Sequence, residues 1–167
     1  MLYFYNVFIK TTLFIAGDRQ MSRNYTVQTK ILKPVADVFD AIVSSEKLCR
    51  YFTDRTSGDL VEGQKVRWHW EHYEPELPVV VNRIVANKLI ELTLDSAEWQ
   101  KTADEAYPVR VIFEFEALDD NSTMLSISES GWKTDRDGMK GSHDNCGGWT
   151  HMAMCLKAWI EHGIDLR

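Results

Sequence analysis

The feature that most constrains the fold is a hydrophobic alternation with a period of two residues, which recurs through the middle of the chain. In KVRWHWEHY, residues 65–73, large aromatic side chains fall on one side of the backbone and charged side chains dominate the other. Residues 109–118 and 123–130 repeat this pattern. A period of two is that of a β-strand with one buried face. The chain is therefore predicted to form an antiparallel sheet, with a hairpin turn at Asp119-Asp120-Asn121.

A first strand and two short helices are predicted ahead of this block of strands. Residues 24–32 are predicted to form a first strand because they alternate loosely and carry β-branched side chains. Pro34 suits the first turn of a helix, where its missing N–H needs no partner. In residues 34–44 the apolar side chains recur at spacings of three and four, which is one helix face. Ser44 or Ser45 is the predicted cap of a second, short helix.

A last helix is predicted from about Cys146 to Gly163, with two long loops before it at residues 96–108 and 131–145. The order is thus a strand, two helices, several antiparallel strands and a final helix. We predict an α+β fold in which one curved sheet wraps one long C-terminal helix.

The chain length of 167 residues predicts a single domain, which we place at residues 21–167. Residues 1–20 are predicted to be an N-terminal extension, rich in apolar residues but broken by polar ones. They fall short of the ~18 uninterrupted apolar residues that a membrane-spanning helix needs. Two interpretations of this extension stand: a nonessential segment ahead of a true start at Met21, or an arm that docks its aromatic side chains on the domain or on a second copy.

Charge and cysteine content restrict the partners. The net charge is −6, with 19 Lys and Arg against 25 Asp and Glu, which argues against nucleic acid and anionic membranes as partners. Three scattered cysteines do not resemble a disulfide framework, so we predict a cytoplasmic protein. No nucleotide-binding, serine-hydrolase or metalloprotease motif occurs in the sequence, and we predict no cofactor.

HDNCGGWTHMAMC, residues 143–155, is the segment that most resembles a metal site. Its candidate ligands are His143, Cys146, His151 and Cys155. The spacing between the two pairs is far shorter than the usual zinc-finger loop. We therefore favour a helix that begins at the Gly147-Gly148 pair, with these side chains on a partly solvated face, and predict no metal.

Strand parity and helical periodicity predict which side chains face each other between the sheet and the last helix. These side chains form either the wall of an apolar ligand cavity or a simple core. They are Trp68, Trp70, Leu92, Phe113, Phe115, Leu125 and Ile127 from the strands, and Met152, Leu156 and Trp159 from the helix.

Two polar residues share the inward parity of these strands. Glu129 follows Ile127 at the end of its strand, and His72 follows Trp70. A carboxylate that faces an apolar cavity is a candidate acid, base or ligand anchor, because burial disfavours its charged form. The alternative is that both side chains lie at the rim of the sheet, in water. Glu129 and His72 are the catalytic candidates of the sequence.

Several segments in this order resemble successive signatures of one known family. They are ILKPVADVFDAIVSSEKLCRYF, LVEGQKVRWHW, NRIVANKLIELTL, VRVIFEFEALDDNSTMLSISESGW and GGWTHMAMCLKAWIEHG. Together they are similar to the AHSA family, the activator of heat-shock protein 90 ATPase homologues, within the START-like (SRPBCC) helix-grip superfamily. The resemblance runs from about Tyr25 to Gly163. It implies a curved antiparallel sheet that grips a long C-terminal helix, with an apolar cavity between them.

Three functions follow from this resemblance and from the predicted cavity. The favoured one is a binding protein that holds a small apolar or amphipathic ligand. The second is a co-chaperone-like regulator of the heat-shock protein 90 ATPase, with the chaperone as its partner. The third is a cavity-based enzyme of the cyclase, aromatase or hydrolase type, for which Glu129 and His72 are the only candidate acid and base. The protein is expected to be a monomer or a homodimer.

Overall fold

A computed structural model describes residues 23–95 and 106–167. Its seven strands form one antiparallel sheet in the order β1-β7-β6-β5-β4-β3-β2. In chain order the elements are β1 (Arg23–Ile31), α1 (Val35–Val43), α2 (Ser45–Leu48), β2 (Arg55–Thr56), β3 (Lys65–Trp70), β4 (Tyr73–Val85), β5 (Leu89–Asp95), β6 (Pro108–Ala117), β7 (Thr123–Trp132) and α3 (Arg136–His162). This architecture confirms the predicted α+β helix-grip fold, with two short helices after the first strand.

The alternation of the sequence sets the register of the central strands. In the β6–β7 hairpin, Phe113 is opposite Ile127 and Val111 is opposite Glu129. All four side chains are buried on the face of the sheet that carries the core. The hairpin turn falls at the predicted place, where Asn121 adopts a φ of 58° and the Leu118 N–H donates to the Ser122 carbonyl.

Helices α1 and α2 follow the first strand as predicted. Pro34 precedes the first residue of α1, and its carbonyl accepts the N–H groups of Asp37 and Val38. Ser44 is the cap of α2, because its hydroxyl accepts the Lys47 N–H. Both helices contribute buried apolar side chains to the core.

The last helix is longer than predicted. It begins at Arg136 rather than near Cys146 and runs for 27 residues, so the predicted loop at residues 131–145 is wrong. Asp135 caps it by accepting the Gly138 N–H at 2.7 Å. The polar, glycine-rich composition of the first turns resembles a loop. The structure shows why glycine stands there: a Cβ at Gly138 would lie 2.2 Å from the Lys133 carbonyl oxygen, and one at Gly141 would lie 2.5 Å from the Trp132 ring.

The predicted inward position of His72 is also wrong. The pairing of β3 with β4 shifts between Trp68, which is opposite Leu77, and Trp70, which is opposite Tyr73. Strand β3 ends at Trp70, so His72 lies in the following turn and is exposed. The irregularity instead leaves His69 buried beside Trp68.

Two predictions concern residues for which the structure is not described in full. The N-terminal extension, residues 1–20, lies outside the described residues, as does most of the predicted loop at residues 96–108. Within the described ranges, no helix has the length and apolar character that crossing a membrane requires.

Candidate functional site

Glu129, near the end of β7, is the one carboxylate of the predicted site, and only 1% of its surface is exposed. Its Oε2 atom accepts hydrogen bonds from the Tyr25 hydroxyl and the Trp132 indole N–H, both at 2.6 Å. Its Oε1 atom accepts the Trp149 indole N–H at 2.6 Å and the Asn145 side-chain amide at 3.0 Å. The carboxylate therefore meets four donors, which fill its usual hydrogen-bonding capacity.

The two oxygens of Glu129 bind different parts of the fold. Tyr25 lies directly opposite Glu129 on the edge strand β1, and Trp132 is the last residue of β7, so Oε2 is held by the sheet. Asn145 and Trp149 are one helical turn apart on α3, so Oε1 is held by the helix. Glu129 thus joins the sheet to the helix through hydrogen bonds.

The electrostatics of this site are those of a buried negative charge surrounded by neutral groups. Burial raises the pKa of Glu129, and the four hydrogen bonds oppose that rise. Burial and the nearby Glu129 carboxylate likewise raise the pKa of the Tyr25 hydroxyl and of the Cys146 thiol. Because four donors occupy its lone pairs, this carboxylate can accept a further proton or hydrogen bond only where one of these contacts is given up.

An aromatic cluster fills the space beside Glu129. We use this name for Phe52, Trp68, Trp70, Phe113 and Trp149. Ring centroids lie 5.5 Å apart for Phe113 and Trp149, 6.4 Å for Trp68 and Trp149, and 5.5 Å for Phe52 and Trp68. Most of these pairs meet edge to face, an arrangement that aromatic rings favour. Trp149 belongs both to this cluster and to the donors of Glu129.

The three indoles of the aromatic cluster differ in their hydrogen bonding. The Trp149 N–H donates to Glu129, and the Trp70 N–H donates to the Phe52 carbonyl at 2.7 Å. The Trp68 N–H is buried and has no acceptor in the part of the chain that the structure describes. The Nδ1 atom of the neighbouring His69 is also buried and has no hydrogen-bond partner among the described residues. A buried donor without an acceptor costs about 1–3 kcal/mol, so native structures rarely keep one without a reason.

The structure brings the predicted lining residues together in one core. Eight are buried and two are half-buried: Trp68, Leu92, Phe113, Phe115, Leu125, Ile127, Met152 and Leu156 are buried, whereas Trp70 and Trp159 are partly exposed. Trp159 stacks on Tyr51, with ring centroids 5.5 Å apart. In the described state these side chains pack on one another.

Sequence reasoning missed the donors around Glu129. Regular alternation places residue 132 on the opposite face from residue 129, but Gly131 has a φ of 102° and turns Trp132 inward. A Cβ at Gly131 would lie 2.8 Å from the Pro108 carbonyl oxygen, so the close approach also requires glycine. Asn145 was missed because its segment was assigned to a loop. One sequence feature could have indicated the Trp132 contact. In the segment ESGW, residues 129–132, a glycine stands directly before the tryptophan and allows the backbone to turn there.

The four candidate metal ligands are spread along α3. His143 and His151 are exposed, Cys146 is half-buried and Cys155 is buried. Cys155 and His151 approach to 3.5 Å between Sγ and Nε2. Cys155 lies twelve positions after His143 on the helix, a rise of about 18 Å, so these four side chains cannot bind one ion. Within the described residues, no cluster of three or more His, Cys, Asp or Glu side chains has the geometry to hold a metal.

A shallow pocket of about 210 Å³ lies on the other face of the sheet. It is lined by Lys65, Pro78, Val80, Thr93, Ala106, Tyr107 and Pro108. Lys65, Val80 and Thr93 have the opposite parity from the core residues of their strands, so this pocket is separate from Glu129 and the aromatic cluster.

Comparison with protein families matches residues 33–161 to the family described as Activator of Hsp90 ATPase homolog 1-like protein. Comparison with curated proteins gives no match. Among solved structures, the protein SSP2350 from Staphylococcus saprophyticus is 25% identical with a TM-score of 0.66, over 85% of this chain and 96% of that one.

Two further structures share the fold at lower identity. Protein MLL2253 from Mesorhizobium loti has a TM-score of 0.72 at 15% identity, over 85% of this chain and 99% of that one. The Aha1 dimer from Colwellia psychrerythraea has a TM-score of 0.69 at 19% identity, over 84% and 97% respectively. At these identities the similarity shows the fold alone.

Proposed function

The chain belongs to the family described as Activator of Hsp90 ATPase homolog 1-like protein, and from this premise we propose that it is a binding module for a small, mostly apolar ligand. The ligand occupies the aromatic cluster between the sheet and α3. Its body is flat and apolar, and it carries one hydrogen-bond acceptor such as a carbonyl oxygen.

The observation that carries this proposal is the unpartnered indole N–H of Trp68. This side chain is 2% exposed and is surrounded by the rings of Phe52, Trp70 and Trp149. A ligand that carries a carbonyl group would satisfy the N–H and recover the free energy that its isolation costs. Ligand sites in proteins have this composition, with apolar walls and a few placed polar groups.

The aromatic cluster also offers a route for entry. Phe52 and Trp70 are half-buried, so the cluster reaches solvent at this side, whereas Trp68, Phe113 and Trp149 are buried. A ligand that enters beside Phe52 and Trp70 would displace aromatic contacts and replace them with contacts of its own. The exchange of one aromatic ring for another keeps most of the buried apolar area.

The enzyme alternative receives less support from the geometry. Glu129 has its lone pairs engaged by four donors, and His72 is exposed in a turn on another strand connection. The co-chaperone-like alternative rests on the description of the family alone.

Two ligands of similar size test the proposal. Acetylnaphthalene and isopropylnaphthalene, both substituted at the β position, differ by a carbonyl acceptor. We expect both to bind the wild-type protein one to one by isothermal titration calorimetry. The ketone should bind about 2- to 10-fold more tightly, since one neutral hydrogen bond contributes about 0.5–1.5 kcal/mol.

The matched variant is Trp68→Phe, which keeps an aromatic ring and removes the N–H. It should abolish the preference for the ketone while both compounds still bind. If neither compound binds the wild-type protein, the proposal is wrong. If the preference persists in Trp68→Phe, the N–H of Trp68 is not the anchor.

A further inference from the structure

We propose that Glu129 is the anchor for a positively charged amine on the ligand, which replaces the Asn145 amide at Oε1. This inference rests on the proposed function, and it adds a cationic group to the class of ligand that the aromatic cluster accepts. The resulting ligand is an amphipathic amine with an aromatic body.

The first argument is the uncompensated charge of Glu129. Its four donors are a phenol, two indoles and a carboxamide, all of them neutral. No Lys, Arg or His side chain in the described ranges forms an ion pair with it. Buried carboxylates are usually paired with a cation, because removing a charge from water is costly. Folding has already desolvated this carboxylate, so an incoming ammonium group would add the missing opposite charge at the cost of its own desolvation and of the Asn145 hydrogen bond that it replaces.

The second argument is the position of Oε1. This oxygen accepts the Trp149 N–H at 2.6 Å, and Trp149 belongs to the aromatic cluster. Asn145 precedes Trp149 by four residues, which places both side chains on one face of α3. A ligand whose ring lies against Trp149 therefore has Glu129 Oε1 within reach of a short side chain.

The third argument is that the Asn145 contact is the one most easily replaced. It is the longest of the four hydrogen bonds, at 3.0 Å against 2.6 Å for the others. Asn145 is half-buried, whereas Trp132 and Trp149 are buried. Removing the Asn145 amide returns it to solvent, where water satisfies it. An ammonium group at the same place makes a charge-assisted hydrogen bond, which is stronger than that of a neutral amide.

The test adds a third compound to the naphthalene pair. In naphthylethylamine an ammonium group replaces one methyl of the isopropyl group at the same ring position. We expect it to bind the wild-type protein about tenfold more tightly than isopropylnaphthalene, or more, in calorimetric titrations at neutral pH. Because the pair is buried, this preference should change little in high salt.

Two variants separate Glu129 from general packing. Glu129→Gln should remove the preference for the amine, which is measured as the ratio of the affinities of the amine and of isopropylnaphthalene for the same variant. Asn145→Ala, at a half-buried position where folding is expected to persist, should increase the preference for the amine about three- to tenfold, because a competing donor is gone.

The outcomes separate the two proposals. Binding of the ketone and the hydrocarbon without any preference for the amine would overturn this inference and leave the proposed function standing. An unchanged preference in Asn145→Ala would also overturn it. Failure of all three compounds to bind would instead remove the proposed function itself.

Discussion

Trp68 and Trp149 lie in ring contact, yet their indole N–H groups are in opposite situations. The Trp149 N–H donates to a buried carboxylate, and the Trp68 N–H has no acceptor among the described residues. The Trp149 N–H therefore stabilises the fold. The unpaired Trp68 N–H instead offsets part of the stability that the burial of its ring provides. This contrast is the basis for assigning Trp68 to the ligand.

The same substitution at these two positions should therefore have different effects on the free energy of unfolding. Trp149→Phe loses a hydrogen bond to a charged group, worth about 1.5–3 kcal/mol, in addition to packing. Trp68→Phe loses similar packing but removes an unsatisfied buried donor, which offsets part of the loss. We expect Trp149→Phe to be less stable than Trp68→Phe by about 2 kcal/mol or more. Urea unfolding of both variants measures this, and equal losses would contradict the assignment.

At this scale the sequence predicted the position of Glu129 but not its partners. Alternation along β7 placed the carboxylate on the core side, and the structure agrees. The same rule failed for His72, because a shift in the pairing of β3 with β4 interrupts the alternation. It also missed Trp132, which a positive φ at Gly131 turns inward. Local irregularities of the backbone decide these cases, and a two-residue period cannot represent them.

At the scale of elements, the glycines of α3 fall into two classes. Gly138 and Gly141 lie where the helix approaches Lys133 and Trp132 too closely for a Cβ, whereas Gly147 and Gly148 face open space. The first class is required by packing. The second lowers the helix propensity at mid-helix without any steric reason.

Alanine substitutions should separate these two classes. Gly148→Ala should raise the free energy of unfolding by about 1 kcal/mol, because alanine favours the helix and its Cβ meets no atom there. Gly138→Ala should lower it by about 1–3 kcal/mol, since its Cβ would lie 2.2 Å from a backbone oxygen. Thermal or urea unfolding compares the two directly. A loss of stability in Gly148→Ala would show that the open space is occupied in solution.

The beginning of α3 was the element that sequence reasoning placed least well. The polar, glycine-rich segment before Cys146 was predicted to be a loop, because it has no apolar residues at helical spacing. Their role depends on the neighbouring strand end, which only the tertiary structure reveals. By contrast, the strands and the two short helices follow periods and caps that local sequence contains, such as Ser44 before α2.

At the scale of the whole molecule, Glu129 links the stability of the fold to pH. Its pKa in the folded protein is raised above the ordinary value of 4.5 by burial. Between 4.5 and the raised value, the folded state binds more protons than the unfolded state. The free energy of unfolding contributed by this group therefore falls as the pH rises through that interval.

Glu129→Gln should flatten this part of the pH profile, although it lowers stability overall because an amide cannot accept all four donors. Urea unfolding at a series of mildly acidic and neutral pH values measures the difference between the two profiles. Asp120→Asn is the control, since hydrogen bonds from Lys30 and Ser122 lower the pKa of Asp120 to about 2. The contribution of Asp120 to the free energy of unfolding is lost only as the pH falls below its ordinary pKa of 3.8. Parallel profiles for wild type and Glu129→Gln would contradict the buried-charge account.

The fold of the whole molecule was the most predictable property of this chain. The order of its elements along the chain, and a curved sheet around a C-terminal helix, were predicted from alternation, caps and turns that the sequence displays, and the family match agrees. The function is less predictable because the same inward-facing side chains describe a packed core and a ligand site equally well. The hydrogen-bonding states of Trp68 and Glu129, which depend on tertiary contacts, favour the ligand site.

Native mass spectrometry of the full chain tests the central claim most directly, both as purified and after incubation with acetylnaphthalene. The account predicts a mass increase that corresponds to one bound molecule per chain and disappears on denaturation. The same spectrum distinguishes a monomer from a homodimer, which remains a prediction. A bare mass under both conditions would contradict the account, because an aromatic cluster that accepts no ligand is simply a core.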